Sequence, residues 1–462
     1  MTSTPTGRWL SFKGLLALLS LFLAVSLWVL SLTASLDRDS VAPVLSLQQQ
    51  ERALLVEPAV PDHLSDLLQG WLVGDDPAGQ LRDALRAVPL DRLDDRQRLL
   101  LASLTDDPAE RQEALAQPPQ NFELDALQQA LVQYQQGASL SEANAAVLDN
   151  PQLDPLLRSR VCDALGGTAL QCHDPRAAAV AAVALRRLLL AAVLPMAALG
   201  LGVLLLLRQV WLRLRGRVRS WPPLVGPLLT PVDVTLLVAG GFVLLGQVTP
   251  VLLQPLISWI ARAQPNALGQ AFAVLLGYIA LASPPLIILK VQLQQLGDDD
   301  VPGGGWLQWR PTPLFPALVQ GAKGWLMATP PVALTAWLMG LLFGDQGGSN
   351  PLLEIVLRSD SVPALLLLSL TAVVLAPLFE ELVFRGVLLP VLARWLGRGW
   401  GVVLSGLVFA VAHLSIGELP PLLVLGIGLA LLRLSSGRLL PCVVMHACWN
   451  AATFVNLILL AS

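Results

Sequence analysis

The chain has 462 residues, of which 54% are hydrophobic and 14% charged, with a mean hydropathy of +0.63; ordinary soluble domains carry about 25% charged residues, which argues against a purely soluble protein, and recurring apolar runs of about 18 or more residues point to membrane spans. The net charge of −3 averages two unlike parts: residues 37–187 hold 23 acids against 13 bases, and the remainder 10 acids against 17 bases. No basic patch marks the acidic part, so no nucleic-acid partner is expected.

The first element is the apolar run Gly14–Leu36, preceded by Arg8 and Lys13 and followed by Asp37 and Asp39. The positive-inside rule then places the N-terminus in the cytoplasm and 37–187 outside it. A cleavable signal peptide is the alternative. The run is longer than the roughly 7–15 residues of a signal core, and Leu32 is not the small residue wanted before a cut after Ala34, so an uncleaved anchor over 1–36 is favoured.

Residues 37–187 read as a soluble α-helical extracytoplasmic domain. Gln80–Pro89, Asp94–Leu104 and Asp125–Gln136 place Leu and Ala at helical spacing between Asp-Asp-Pro, Pro-Gln and Asn-Pro breaks. An array of α-hairpins is expected; without a strict period, a tetratricopeptide-like solenoid is an open alternative. Such a domain binds a protein partner or shields the membrane core, or is simply a structural lid. Cys162 and Cys172 are expected to be bridged in an oxidising compartment.

The span Leu188–Leu207 ends in Arg208, Arg213, Arg215, Arg217 and Arg219, the densest basic cluster, which should be cytoplasmic. Further spans are predicted near 232–257, 268–289, 324–343, 361–390, 400–416, 420–434 and 440–461. Lys290, Lys323, Arg394, Arg398, Arg433 and Arg438 then fall on the cytoplasmic side, and Arg262 and Arg358 outside. The predicted fold is all-α: a polytopic helical membrane protein of about nine transmembrane helices. Residues 188–350 have no assigned role, and 351–462 contain the chemistry.

Ionisable residues inside spans are costly and default to function. Glu380, Glu381 and Arg385 lie in PLFEELVFRG, His413 in GLVFAVAHL, and His446 with Asn450 in VVMHACWNAATF. Glu381 and Arg385, at i,i+4, face and neutralise one another, while Glu380, about 100° around the helix, serves another face. His446 and Asn450 share a face. Counted from Arg394, Arg398 and Arg438, and with continuous helices, Glu380, His413 and His446 lie about 21, 22 and 12 Å deep. Pro377 removes a backbone hydrogen bond one turn before Glu380 and opens the helix there. Cys442 and Cys448 flank His446, and for them a small buried apolar role is favoured over metal binding.

Taken singly, each residue has a structural reading: a lone membrane His or Asn bridges helices, and Glu381–Arg385 alone is a buried pair. In order, however, Glu380-Glu381-x-x-x-Arg385, Phe409-x-x-x-His413 and His446-x-x-x-Asn450 resemble the CPBP family of intramembrane proteases. That family includes the type II CAAX prenyl endopeptidases and the bacteriocin-processing and immunity (Abi) proteins. The resemblance covers roughly 355–458. It implies hydrolysis of a peptide bond in a membrane-associated or prenylated protein or peptide, beside membrane lipid. Glu380 would activate water with help from His413, His446 and Asn450 would stabilise the oxyanion, and Arg385 would hold Glu381. The family is often classed as metalloprotease, and Glu380, His413 and His446 could instead be Zn²⁺ ligands; with H-E-x-x-H absent, both mechanisms stay open. The rivals are a non-catalytic scaffold or immunity protein of the same fold, and a transporter, for which inverted repeats are missing.

Overall fold

A computed structural model describes residues 11–38, 42–57, 69–119, 121–136, 153–168, 176–217, 220–263, 266–297, 300–344, 351–357 and 361–460, with isolated positions between them. Arg8, Asp39, Arg219 and Arg358, used above for orientation, and the Asn-Pro break at 150–151 lie outside the described residues. Among the described residues every regular element is helical.

The chain forms two compact units. One comprises Ala42–Leu194 with the residues from Leu459. Its helices are α2 (Ala42–Val56), α3 (Pro77–Arg86), α4 (Asp95–Leu104), α5 (Pro108–Ala114), α6 (Phe122–Gln135), α7 (Pro155–Ala164) and the start of α8 (Ala177–Leu214). The Asp-Pro breaks turn out to be helix starts. Asp76, Asp107 and Asp154 each accept a bond from a backbone N–H of the first turn, with proline as the first helical residue, and Asp94 forms a capping box with Gln97. Proline at this position gives up no bond, because the first N–H groups of a helix have no helical acceptor. Leu81, Leu85, Leu99, Leu100, Leu127, Leu131 and Leu157 fill the core. Helix α7 packs back on α2 and α4, so the helices close around one core instead of extending as a solenoid, where each repeat meets only its neighbours. Cys162 and Cys172 are disulfide-bonded, Cα to Cα 5.5 Å.

The other unit contains α1 (Phe12–Ala34) and Pro195–Ile458. Its remaining helices are α9 (Pro231–Ala263), α10 (Ala267–Gln294), α11 (Leu314–Phe343), α12 (Pro351–Leu357), α13 (Val362–Leu396), α14 (Arg398–Val411), α15 (Leu419–Ser436) and α16 (Leu440–Leu460). Among the described residues eight helices are long and apolar enough to cross a membrane: α1, α8–α11, α13, α15 and α16. The protein is a multi-pass helical membrane protein. The expected ninth span is α14, whose 14 residues reach about 21 Å, short of a hydrocarbon core of about 30 Å. It stops at Val411 because the chain turns through Leu414, which sits at φ 55°. One charge in this unit is neutralised across helices: Lys13 of α1 donates to Asp233 of α9, whose other oxygen accepts the Thr230 N–H at 2.9 Å and hydroxyl at 2.6 Å.

Candidate active site

Helix α13 carries the two glutamates between two π-helical stretches, Leu370–Leu375 and Leu382–Leu388. In the first, Ala376 donates its N–H to Thr371 O, five residues back. The next donor in that register would be residue 377, a proline without an N–H, so the Ala372 carbonyl is freed. Asn450 of α16 takes it up, its Nδ2 donating to Ala372 O at 2.8 Å. Asn450 therefore contacts the backbone of α13, while its shared helical face puts His446 one turn away.

Glu381 and Arg385 pair as their spacing requires, Nη1 to Oε1 at 2.8 Å, and both are fully buried. Arg385 also donates through Nη2 to Gly426 O at 3.0 Å and lies 4.4 Å over the Phe409 ring. The close approach of α15 needs Gly426: a Cβ there would sit 2.9 Å from the Gly406 Cα of α14. That contact brings Phe409, and with it His413, against α13. His413 lies beyond the end of α14, not on a continuous helix, its N–H donating to Ala410 O in a tightened last turn at 3.2 Å.

Glu380 and the two histidines converge. His413 Nε2 and His446 Nε2 are each 3.9 Å from Glu380 Oε2. Nδ1 of His413 is 2.8 Å from Phe409 O, and Nδ1 of His446 is 3.0 Å from Glu381 Oε1. A carbonyl can only accept, and Glu381 Oε1 already accepts from Arg385, so both Nδ1 atoms are the donors. In the neutral rings both Nε2 atoms are then acceptors facing a third, Glu380 Oε2, which is buried without a hydrogen-bond partner. Phe409 is wedged between the rings, 4.7 Å from His413 and 5.5 Å from His446 between centroids. All six sequence-predicted residues thus belong to one neighbourhood, with Glu380, His413 and His446 meeting directly and Asn450 set to one side.

Zinc places tetrahedral O and N ligands about 2.0–2.2 Å from the ion and so about 3.4 Å from each other. The 3.9 Å separations are wider, and among the described residues no group of three or more His, Cys, Asp or Glu is arranged to hold a metal ion. As placed, Glu380, His413 and His446 do not fit zinc. Cys442, buried, and Cys448 are free thiols.

Sequence reasoning missed Tyr278 of α10. Its hydroxyl lies 3.5 Å from Ala376 O and its ring meets Phe379 edge-on at 6.1 Å. The available signal was its phenol, one of only two in the chain, within an apolar span.

Residues 362–452 match the family described as "Type II CAAX prenyl endopeptidase Rce1-like", and residues 42–183 match a domain of unknown function, DUF8675. An "Uncharacterized 24.3 kDa protein" of Escherichia coli is 33% identical over 103 residues, 21% of this chain and 48% of that protein. The chain thus spans about half the length of that curated relative. No solved structure matches. The match at 362–452 contains every residue of the Glu, His and Asn constellation, and this part of the chain is a type II CAAX prenyl endopeptidase Rce1-like domain of the CPBP protease family.

Proposed function

We propose that the protein is an intramembrane endopeptidase that hydrolyses a peptide bond of a membrane-associated protein or peptide with a glutamate-activated water. The observation that carries this reading is the meeting of three acceptors, Glu380 Oε2 and the Nε2 atoms of His413 and His446. A water donating to Glu380 and His413 satisfies two of them and is oriented for attack. Glu380 takes its proton as general base and the hydroxide adds to the scissile carbonyl. His446 gives its Nδ1–H to Glu381, so its Nε2 donates to the oxyanion only after receiving a proton. Glu380 is the neighbour that can pass it one, and the proton then goes to the leaving amine as the C–N bond breaks. Asn450 has a second N–H beside the one on Ala372 O and supports the oxyanion with it. Arg385 holds Glu381 and, through it, the His446 ring.

The charge asymmetry around α1 and the Cys162–Cys172 disulfide support an orientation with the N-terminus cytoplasmic and 37–187 outside. Prenylated proteins are one substrate class the matched family's name suggests. A protein partner for 37–187 would bias which substrates reach the site.

The test is cleavage of a membrane-peptide library by the detergent-purified full chain, beside Glu380→Gln and His413→Ala. Cleavage that falls by about 10²–10⁴-fold in both variants, the usual worth of general acid–base groups, supports the reading. Cleavage that survives Glu380→Gln refutes it, and flux of a solute abolished by that substitution in proteoliposomes would point to transport instead.

A further inference from the structure

The turn that carries His413 is tied to the N-terminal helix, which lies more than 300 residues away in sequence and outside the matched domain. After His413 the chain passes through Leu414 at φ 55°, in the left-handed region that a branched side chain rarely adopts. Two bonds from the end of α1 hold it there. The Arg38 guanidinium donates to Leu414 O, and the Ser35 hydroxyl accepts the Ile416 N–H at 3.1 Å while itself donating to Leu32 O at 2.6 Å. Ser35 and Ser415 are buried. The turn's own bonds are short-range: Leu414 N–H to Val411 O, Glu418 N–H to the Ser415 hydroxyl and Leu419 N–H to Ile416 O. These close the turn without fixing where it points. His413 reaches Glu380 from a turn, not a helix: its ring is held on the helix side by the Nδ1 bond to Phe409 O, and the backbone that follows it is set by the turn at Leu414.

We propose that Ser35 and Arg38 are positioning residues of the active site, holding the Leu414–Ile416 turn so that His413 Nε2 faces Glu380. The role of His413 in hydrolysis rests on the function proposed above; its placement by α1 does not. The two bonds engage the turn at different groups, one at a carbonyl and one at an N–H two residues on, which fixes the peptide planes between them. Loss of either frees the Leu414 backbone to relax towards negative φ, which leaves the Phe409 O and Ala410 O bonds as the remaining hold on His413 and loosens the imidazole against Glu380.

The experiment compares Ser35→Ala, Ser35→Thr, Arg38→Ala and Arg38→Lys in the full chain in detergent. Carbethoxylation of His413 and His446 is read by mass spectrometry alongside cleavage. Thr keeps the hydroxyl acceptor and Lys keeps a donor for Leu414 O. The expected result is that His413 reacts several-fold faster in both alanine variants, that His446 is unchanged, and that Thr and Lys restore the slow rate. Given a cleavable peptide, kcat falls by about 10²-fold in the alanine variants with KM unchanged, as for a reacting group displaced by about 1 Å. Unchanged His413 reactivity in the alanine variants overturns the proposal, as does an equal rise at His446, which would mean general loosening. If the wild-type chain cleaves nothing, the labelling result still decides the placement while the proposed hydrolysis fails separately.

Discussion

Replacing Arg385 with Met removes the guanidinium that pairs with Glu381 while roughly keeping the volume that packs on Phe409. Glu381 would be left fully buried, with the His446 Nδ1–H as its remaining donor, and breaking a buried pair in this way costs about 3–5 kcal/mol. The lost bond to Gly426 O adds about 1 kcal/mol, and the lost cation–π contact with Phe409, 4.4 Å away, about 1–2 kcal/mol. These terms overlap, because one side chain makes all three contacts, so Arg385→Met should destabilise the protein by about 4 kcal/mol. Glu381→Gln alone strands the guanidinium and should cost about 3 kcal/mol. The double variant leaves no charge on the pair, and the amide oxygen introduced by Glu381→Gln can still accept from His446, so it should cost only about 2 kcal/mol. Together these give a coupling of about 5 kcal/mol between the two residues. Reversible unfolding in mixed micelles, followed by fluorescence of the 13 tryptophans, measures all four proteins without requiring activity. Single-variant costs that add within about 0.5 kcal/mol would refute the mutual stabilisation of the two charges.

In the unit built on Ala42–Leu194 the Glu110 carboxyl is held down to about 2, first by the Arg86 hydrogen bonds and then by the Thr105 hydroxyl. A depressed carboxylate stabilises fully above its ordinary value of 4.5 and loses that contribution as pH falls towards about 2. Glu110→Gln should therefore flatten the loss of hydrogen-exchange protection in α4 and α5 over this window, and an unchanged acid profile would count against the pairing. The Cys162–Cys172 bond closes a ten-residue separation, so Cys162→Ser with Cys172→Ser should cost about 3 kcal/mol by the loop-entropy estimate. A urea titration of the full chain checks this; an unchanged midpoint refutes it. Dialysis against 1,10-phenanthroline should leave peptide cleavage within about twofold of untreated protein, because a water-activating carboxylate needs no ion. Loss of activity that returns with added Zn²⁺ would show that the acceptor cluster closes around a metal.

The legible parts of the site are those written in one helix. Glu381 and Arg385 face each other because four residues make about one turn, and no tertiary information is needed. The neighbours of Glu380 are suggested only by the order of three motifs. Their distances depend on Gly406 against Gly426, a contact between helices that spacing within one helix cannot reveal. Asn450 illustrates the other limit. Its position beside His446 shows a shared helical face but not that one N–H of its amide is taken by Ala372 O, because Pro377 interrupts a π register that no hydrophobic pattern announces. The Asp-Asp-Pro breaks mark the ends of elements, as expected, but are also the caps that start the next ones. Hydropathy extends the ninth span too far because Ala412–Ile416 is nearly as apolar as the helix before it; the turn at Leu414 is set by Arg38 and Ser35, far away in sequence.

The π-helical stretch at Leu370–Leu375 also bears on how relatives should be aligned. A π turn holds one residue more than the α turn it replaces, while the helix on either side keeps its course. A protein lacking one residue between 370 and 375 would therefore still present a glutamate where Glu380 stands, and a proline at 377 would still free a carbonyl one turn before it, but that carbonyl would be presented by an α turn instead of a π turn. Length variation at this point therefore separates two ways of presenting the asparagine's anchor that substitution counts would merge, while the place of the glutamate is indifferent to the gap.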